Sequence, residues 1–234
     1  MTPPPPSRQV RLVDLGRRPY GETLELQRGL CRARVSGALD HDVLLLVEHP
    51  AVVTLGRGTR ESSLPIAPDL LRARGFEVFE VERGGDVTLH APGQLVGYPV
   101  LDLTRYRQDL HWYLRQIEEV LIRGLAAVGV AAERRPGLTG VWTGGRKIAS
   151  IGIHVKQWVT LHGFALNVTT DLSLFDVIVP CGIPDVRMTS VAAEASGGAS
   201  PAWLWQATRR AVEEAFASVF GCALEPGPLP EHAS

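Results

Sequence analysis

The chain has 234 residues, 45% hydrophobic and 21% charged, with 24 Lys and Arg against 25 Asp and Glu for a formal charge of −1. That length can bury one substantial core and sits near the usual ceiling for a single domain, and the balanced charge excludes an overall basic field for nucleic acid or an anionic membrane. Three cysteines without C-x-x-C spacing exclude a disulfide framework and a thiol zinc site, and no aliphatic run is long enough to span a bilayer, so a cytoplasmic protein with separate thiols and no metal is expected.

Residues 1–8, with Pro3-Pro4-Pro5-Pro6, and residues 223–234, with Glu225-Pro226-Gly227-Pro228, read as loose ends around one domain at 9–222. Leu24, Gln27, Leu30, Cys31 and Val35 keep helical spacing up to Gly37, and the aliphatic run from Val43 to Val47 suits a buried strand. Residues 76–81, 87–90 and 96–101 read as strands, with turn signals at Gly84-Gly85 and Pro92-Gly93, and together suggest a meander. Leu110, Tyr113, Leu114, Ile117, Leu121 and Leu125 share one helical face, with Asp109 as N-cap and Gly129 as stop. Residues 140–143, 147–155 and 159–168 read as three antiparallel strands, and Ser200-Pro201 opens a last helix that Gly221 ends. Helices and strands without regular βαβ alternation predict a mixed α/β (α+β) domain on a mostly antiparallel or mixed sheet flanked by helices.

Three segments carry chemistry. In Pro180-Cys181-Gly182-Ile183 the cysteine cannot sit inside a helix or central strand, so its sulfur is expected to project from a strand end within reach of a reactant. An unassisted thiol is only a few per cent thiolate near neutrality, and Lys147, in Gly145-Arg146-Lys147-Ile148-Ala149, is the ammonium that would activate it. Strand alternation puts Lys147 on the apolar face with Ala149, Ile151 and Ile153, where an isolated lysine would ordinarily just snorkel. The run Arg83-Gly84-Gly85-Asp86-Val87-Thr88-Leu89-His90 combines glycines that admit a ligand with Arg, Thr and His donors, although a solvated hairpin turn explains it equally well. Cys31 and Cys222 read as structural thiols and His162 as a satisfied core histidine. A phosphate-binding Gly-x-x-x-x-Gly-Lys loop, a Ser-centred nucleophile elbow and a metal-spaced His pair are all missing from the sequence.

In this order, with Leu44 to Pro50, Thr54-Leu55-Gly56-Arg57, Gly140 to Asn167 and Thr189-Ser190, the segments closely resemble the lipoyl(octanoyl) transferases, and parts of them resemble lipoate and biotin protein ligases. The resemblance implies a biotin/lipoate protein ligase-like fold enclosing an acyl tunnel. It implies transfer of an octanoyl group from octanoyl-acyl carrier protein to a lysine of lipoyl domains, in 2-oxoacid dehydrogenase complexes and the glycine cleavage H protein, with no cofactor. By the same resemblance Cys181 is the acyl-thioester nucleophile, Lys147 its activating lysine, and residues 83–90, Ser150-Ile151-Gly152 and Gly163-Phe164-Ala165 the substrate-binding segments. The backbone N–H of Gly182 or of Ser150 to Gly152 is then a source of oxyanion donors. Arg57, Arg60, Arg72 and Arg74 are a docking set for an acidic carrier. Two departures stand out. Ala91 replaces the first glycine of the family's His-Gly-Pro-Gly-Gln motif and would distort the loop if that position needs a positive φ; Arg187-Met188 precedes Thr189-Ser190 where smaller residues are usual. The rival readings are an ATP-dependent lipoate or biotin ligase, a cysteine hydrolase, and a non-catalytic module that binds lipoyl domains or carrier protein.

Overall fold

The computed structural model describes residues 8–183, 185–195 and 198–231; the Pro-rich residues 1–7 and the last residues of the tail, 232–234, lie outside them. In chain order the elements are β1 (Arg8–Arg17), α1 (Tyr20–Ser36), β2 (Asp42–Glu48), β3 (Val52–Leu55), α2 (Pro68–Ala73), β4 (Glu77–Glu80), β5 (Val87–His90), β6 (Gln94–Val100), α3 (Leu110–Ala127), β7 (Glu133–Arg135), β8 (Leu138–Thr143), β9 (Arg146–Lys156), β10 (Val159–Asn167), α4 (Val191–Glu194), α5 (Pro201–Phe220) and β11 (Cys222–Pro226). An eight-stranded sheet runs β11-β1-β2-β6-β10-β9-β8-β7, and a three-stranded sheet runs β4-β3-β5. β1 pairs in parallel with β11 and β2, and every later pairing in the large sheet is antiparallel. The mixed sheet is the one the sequence predicts.

The unbroken aliphatic run of β2 follows from its central place, because both of its faces are covered. Leu44 and Leu46 join Leu95, Leu166, Tyr113 and Ile117 under α3 and α5. Val43, Leu45 and Val47 face the other way, onto Leu24 and Leu30 of α1 with Val96, Tyr98 and Ala165. The predicted caps form: Asp109 accepts from the Trp112 N–H, Ser200 accepts from the Trp203 N–H with Pro201 at the first turn, and Gly221 closes α5 at φ 59°.

Two expectations are corrected. Residues 76–101 are not one meander: β4 and β5 flank β3 in the small sheet, while β6 joins the large sheet between β2 and β10. The unread element is β3, four residues between Pro50 and Gly56, too short to show a period. The ends are also less loose than their prolines suggest. Arg8 opens β1, β11 pairs with β1 through Pro226, and the Gly227 N–H reaches the Leu12 carbonyl, so a boundary at 223 would cut a strand. Pro226 is tolerated because β11 is an edge strand that leaves its outer side unpaired. Among the described residues no helix is long and apolar enough to cross a membrane.

His49, His90 and His162 are all at most 6% exposed. Burial pushes the His49 imidazole down to about 4 and lowers His90 and His162 as well. Because the folded values lie below the unfolded one, the unfolded chain binds more protons below about pH 6.5, so stability is full above that pH and falls through the acid range. His49 alone accounts for about 3 kcal/mol between pH 6.5 and 4. Urea midpoints measured across that window should fall steeply; a flat profile would mean that these rings are not buried and neutral.

Candidate active site

Cys181 lies in a single turn of 3-10 helix, Pro180–Gly182, and not at a strand end as its neighbours suggest. Its backbone is left-handed, φ 58° and ψ 19°, a conformation costing a non-glycine residue about 1–2 kcal/mol and held only where surrounding bonds fix it. Those bonds are visible. The Gly182 N–H donates to Val179 O (2.9 Å), Val179 N–H to Ser63 O (3.0 Å), and Ser63 Oγ to Asp86 Oδ2 (2.7 Å). Gly182 is itself at φ 63°, and a Cβ there would lie 2.1 Å from Asp86 Oδ2, so only glycine lets the turn close on the 83–90 segment.

Lys147, 1% exposed, comes to the sulfur from β9. Its Nζ donates to Cys181 Sγ at 3.0 Å and to Thr139 O at 3.1 Å, and lies 5.4 Å from the centre of the Trp142 ring. Strict alternation would have left Lys147 on the apolar face with Ala149. Instead Lys147 and Ala149 pair with consecutive residues, Trp142 and Val141, so Ile148 is the extra residue of a bulge that re-aims the lysine. Gly140 clears its path, since a Cβ there would lie 2.8 Å from Lys147 Cε. The nucleophile loop then returns to the lysine: Lys147 N–H donates to Arg187 O (2.8 Å) and Thr189 N–H to Lys147 O (2.9 Å). That bridge uses backbone only and leaves the Arg187 side chain exposed, which is how the bulky Arg187-Met188 pair is accommodated.

Cys181 and Lys147 open onto a cavity of about 200 Å³. Of the expected residues, Arg83, Gly85, Asp86, Val87, Thr88, His90, Ser150, Ile151, Gly152, Gly163, Phe164 and Ala165 line it. Gly84 and Leu89 do not: the Gly84 N–H straps the segment to Ile153 O, and Leu89 packs in the small sheet's core. Ser150, Gly152, Gly163 and Ala165 make a floor of small side chains, and a Cβ on Gly152 would meet Arg83 Cδ at 2.9 Å. The two terminal nitrogens of Arg83, read from sequence as a ligand donor, bond to the chain, donating to Asp86 O (2.7 Å), Thr54 O (2.7 Å) and Thr54 Oγ1 (2.9 Å), while its buried Nε has no partner among the described residues. Burial lowers its pKa from the usual guanidinium value. The Asp86 carboxylate is likewise occupied, by Ser63 and by the Val87 N–H. The Gly182 N–H, a proposed oxyanion donor, is already committed to Val179.

His162 is not a satisfied core histidine. It lines the cavity at φ 58°, and its Nε2 is 3.8 Å from Glu82 Oε2 with no hydrogen-bond partner among the described residues. Sequence reading also missed Tyr20, Tyr98, Leu138, Thr139 and Ile183 as lining residues, because nothing local separates a cavity wall from a core. Cys31 and Cys222 are buried, and burial pushes each thiol up to about 11, as structural thiols require. Arg57, Arg60, Arg72 and Arg74 are exposed; the Arg57 N–H is tied to Arg83 O (3.0 Å), and Arg72 pairs with Asp69 on α2.

Ala91 does not need a glycine. It has no positive φ and is fully buried in the small sheet's core, while Gly93 takes the left-handed position at φ 84°, where a Cβ would lie 2.7 Å from the Thr169 backbone. Ala91→Gly should therefore destabilise the chain by about 1 kcal/mol in chemical denaturation, through added unfolded-state freedom, and a gain in stability would show that the loop is strained.

A mostly apolar cavity lined by a lysine-paired cysteine suits an enzyme that handles an acyl group, and comparison with known proteins gives the class. The lipoyl protein ligase A/B catalytic domain matches residues 19–217. The fold is shared with a lipoate-protein ligase A solved with bound ATP, at a TM-score of 0.78 with 18% identity over 96% of this chain and 91% of that one. A bipartite lipoate protein ligase from Thermoplasma acidophilum gives a TM-score of 0.76 with 18% identity over 97% and 89%. Curated relatives are much nearer in sequence: an octanoyltransferase of Nostoc sp. is 49% identical over 94% of this chain and 96% of its own, and one of Gloeobacter violaceus 50% identical over 93% of each. The chain belongs to the lipoyl protein ligase A/B catalytic-domain family and, within it, to the octanoyltransferases, which are acyltransferases.

Gly182→Ala separates geometry from composition at this site. It should leave the fold intact but displace the turn from Asp86, lowering the rate at which iodoacetamide or a thioester reacts with Cys181 by about tenfold or more, the weight of about 1–2 kcal/mol of lost positioning. Unchanged reactivity would mean that the left-handed turn does not present the sulfur.

Proposed function

We propose that the chain moves an octanoyl group from the thioester of octanoyl-acyl carrier protein to the side-chain amine of a lysine on lipoyl domains, through a thioester on Cys181. The observation that carries this reading is the 3.0 Å contact between Lys147 Nζ and Cys181 Sγ in the wall of a mostly apolar cavity. An ammonium at that distance neutralises a thiolate, the form that attacks a thioester.

In the first step the Cys181 sulfur bonds to the acyl carbon, the carbon–sulfur bond to the carrier breaks, and the departing thiolate takes a proton from Lys147. Lys147 is left as a neutral amine. In the second step that amine accepts a proton from the acceptor's ammonium, and the freed nitrogen attacks the Cys181 thioester. The new C–N bond replaces the C–S bond, the second nitrogen proton passes to water, and Cys181 thiolate and Lys147 ammonium are restored. The Ser150 hydroxyl, 3.8 Å from the sulfur, is within reach of the carbonyl oxygen as charge develops there. Exchange between thioesters is nearly balanced and formation of the amide drives the cycle, so no nucleotide enters. The exposed Arg57 and Arg60, beside the segment that roofs the cavity, are the proposed contact for an acidic carrier.

Lys147→Arg keeps a cation but removes the base, because a guanidinium stays protonated. Single-turnover assays with octanoyl-acyl carrier protein and a lipoyl domain, without ATP, should show the variant forming acyl-enzyme while its transfer step slows by about a hundredfold or more. Transfer at the wild-type rate would remove the base role, and a requirement for ATP would replace transferase by ligase chemistry.

A further inference from the structure

The chamber is lined in part by side chains that the transfer reaction does not use. Tyr20, His90 and Tyr98 line it, all at most 6% exposed, and His49 stands outside the cavity lining against Tyr98. The ring centres of His90 and Tyr20 are 5.7 Å apart and nearly parallel, and those of His49 and Tyr98 are 5.8 Å apart. Three polar-headed rings are an odd lining for a space that takes an alkyl chain. The hydrogen bonds explain them. His49 Nδ1 lies 2.7 Å from the Arg18 carbonyl, which can only accept, so Nδ1 carries the proton and the neutral Nε2 accepts from the Tyr98 hydroxyl at 2.9 Å. His90 Nδ1 in the same way donates to Gln94 Oε1 at 3.2 Å, because the Gln94 amide nitrogen is spent on Leu89 O and Asn167 Oδ1. The Tyr98 hydroxyl is thus satisfied by protein and its ring is pinned.

The strand pairing sets the span between the sulfur and Tyr98. Cys181 Sγ lies against Ser150 on β9; Ser150 pairs with Ala165 on β10, which pairs with Val96 on β6, two residues before Tyr98. Two strand spacings of about 4.8 Å across the sheet and two residues of about 3.3 Å along β6 put the Tyr98 backbone about 12 Å from that of Ser150. A fully extended eight-carbon chain, with C–C bonds of about 1.5 Å at near-tetrahedral angles, spans about 9 Å.

We propose that Tyr98, pinned by His49, is the end wall that sets acyl length, with Tyr98 the specificity-determining residue and His49 the positioning residue behind it. The proposal rests on the thioester reading above. A wall gives an asymmetric selectivity. Chains shorter than eight carbons lose apolar burial gradually, about fourfold per methylene, whereas longer ones must push a pinned ring and lose about tenfold or more at once.

The experiment measures acylation of Cys181 by intact mass, using hexanoyl, octanoyl, decanoyl and dodecanoyl thioesters of one carrier. Three proteins are compared: wild type, Tyr98→Leu, and the double variant Tyr98→Leu with His49→Leu, which leaves no imidazole without its donor. The wild type should fall gently from octanoyl to hexanoyl and sharply from octanoyl to decanoyl. Both variants should raise the decanoyl-to-octanoyl ratio by about tenfold or more. A wild type that accepts dodecanoyl as readily as octanoyl overturns the wall even if neither variant folds, and so does an unchanged ratio in a variant that still takes octanoyl. No adduct on wild type with any chain length would instead overturn the thioester reading itself, and the two failures are therefore distinguishable.

Discussion

Lys147 and Cys181 are separated by 34 positions, and their 3.0 Å contact exists because the loop that carries the cysteine is fastened at both ends. Before the cysteine, Val179 is bonded to Ser63 and through it to Asp86 on the roof of the cavity. After it, residues 187–189 bridge the backbone of Lys147 itself. The same strand that displays the lysine therefore anchors the return of the nucleophile loop, and the left-handed backbone at Cys181 is the strain that this double fastening sustains. The second tether would not survive a shift of register in β9, so the bulge at Ile148 controls both the aim of the lysine and the place where the loop lands.

The two-sided sheet supplies the rest. One face is filled by α3 and α5; on the other α1 packs against β10 and β6, and small floor residues of β9 and β10 make room between the sheet and the 83–90 segment. That segment is often easiest to imagine as a set of ligand donors, yet its strongest polar groups, the Arg83 guanidinium and the Asp86 carboxylate, bond to the protein. Their effect is to make the roof rigid. A mostly apolar chamber results in which the lysine, the Ser150 hydroxyl and the sulfur stand together and the rings of Tyr20, His90 and Tyr98 form part of the wall.

Much of this was legible in the sequence because it is written in local patterns. The caps at Asp109 and Ser200, the three-strand run from 140 to 168, and the place of Cys181 in a turn between Pro180 and Gly182 all depend on residues a few positions apart. What was not legible depends on pairings between distant segments. β3 is too short to show a period, and it separated β4 and β5 from β6. The bulge at Ile148 reverses an alternation that the sequence alone would extend. Pro226 hid an edge strand. Tyr20, Tyr98 and His162 were indistinguishable from core residues because burial against a cavity and burial against neighbouring side chains leave the same one-dimensional signature. Ala91 illustrates the reverse error: a departure from a motif that looks costly on paper falls where the backbone makes no special demand, while the demand is met by Gly93 two residues later.

The central claim is that the Cys181 sulfur carries the acyl group between donor and acceptor. Intact-mass spectrometry after incubation with octanoyl-acyl carrier protein, without nucleotide, tests it most directly when wild type is compared with Cys181→Ala. The account predicts an octanoyl adduct on the wild type, absent from Cys181→Ala, that disappears when a lipoyl domain is added and reappears on that domain. Equal transfer by Cys181→Ala would contradict it and put the acyl group's path elsewhere.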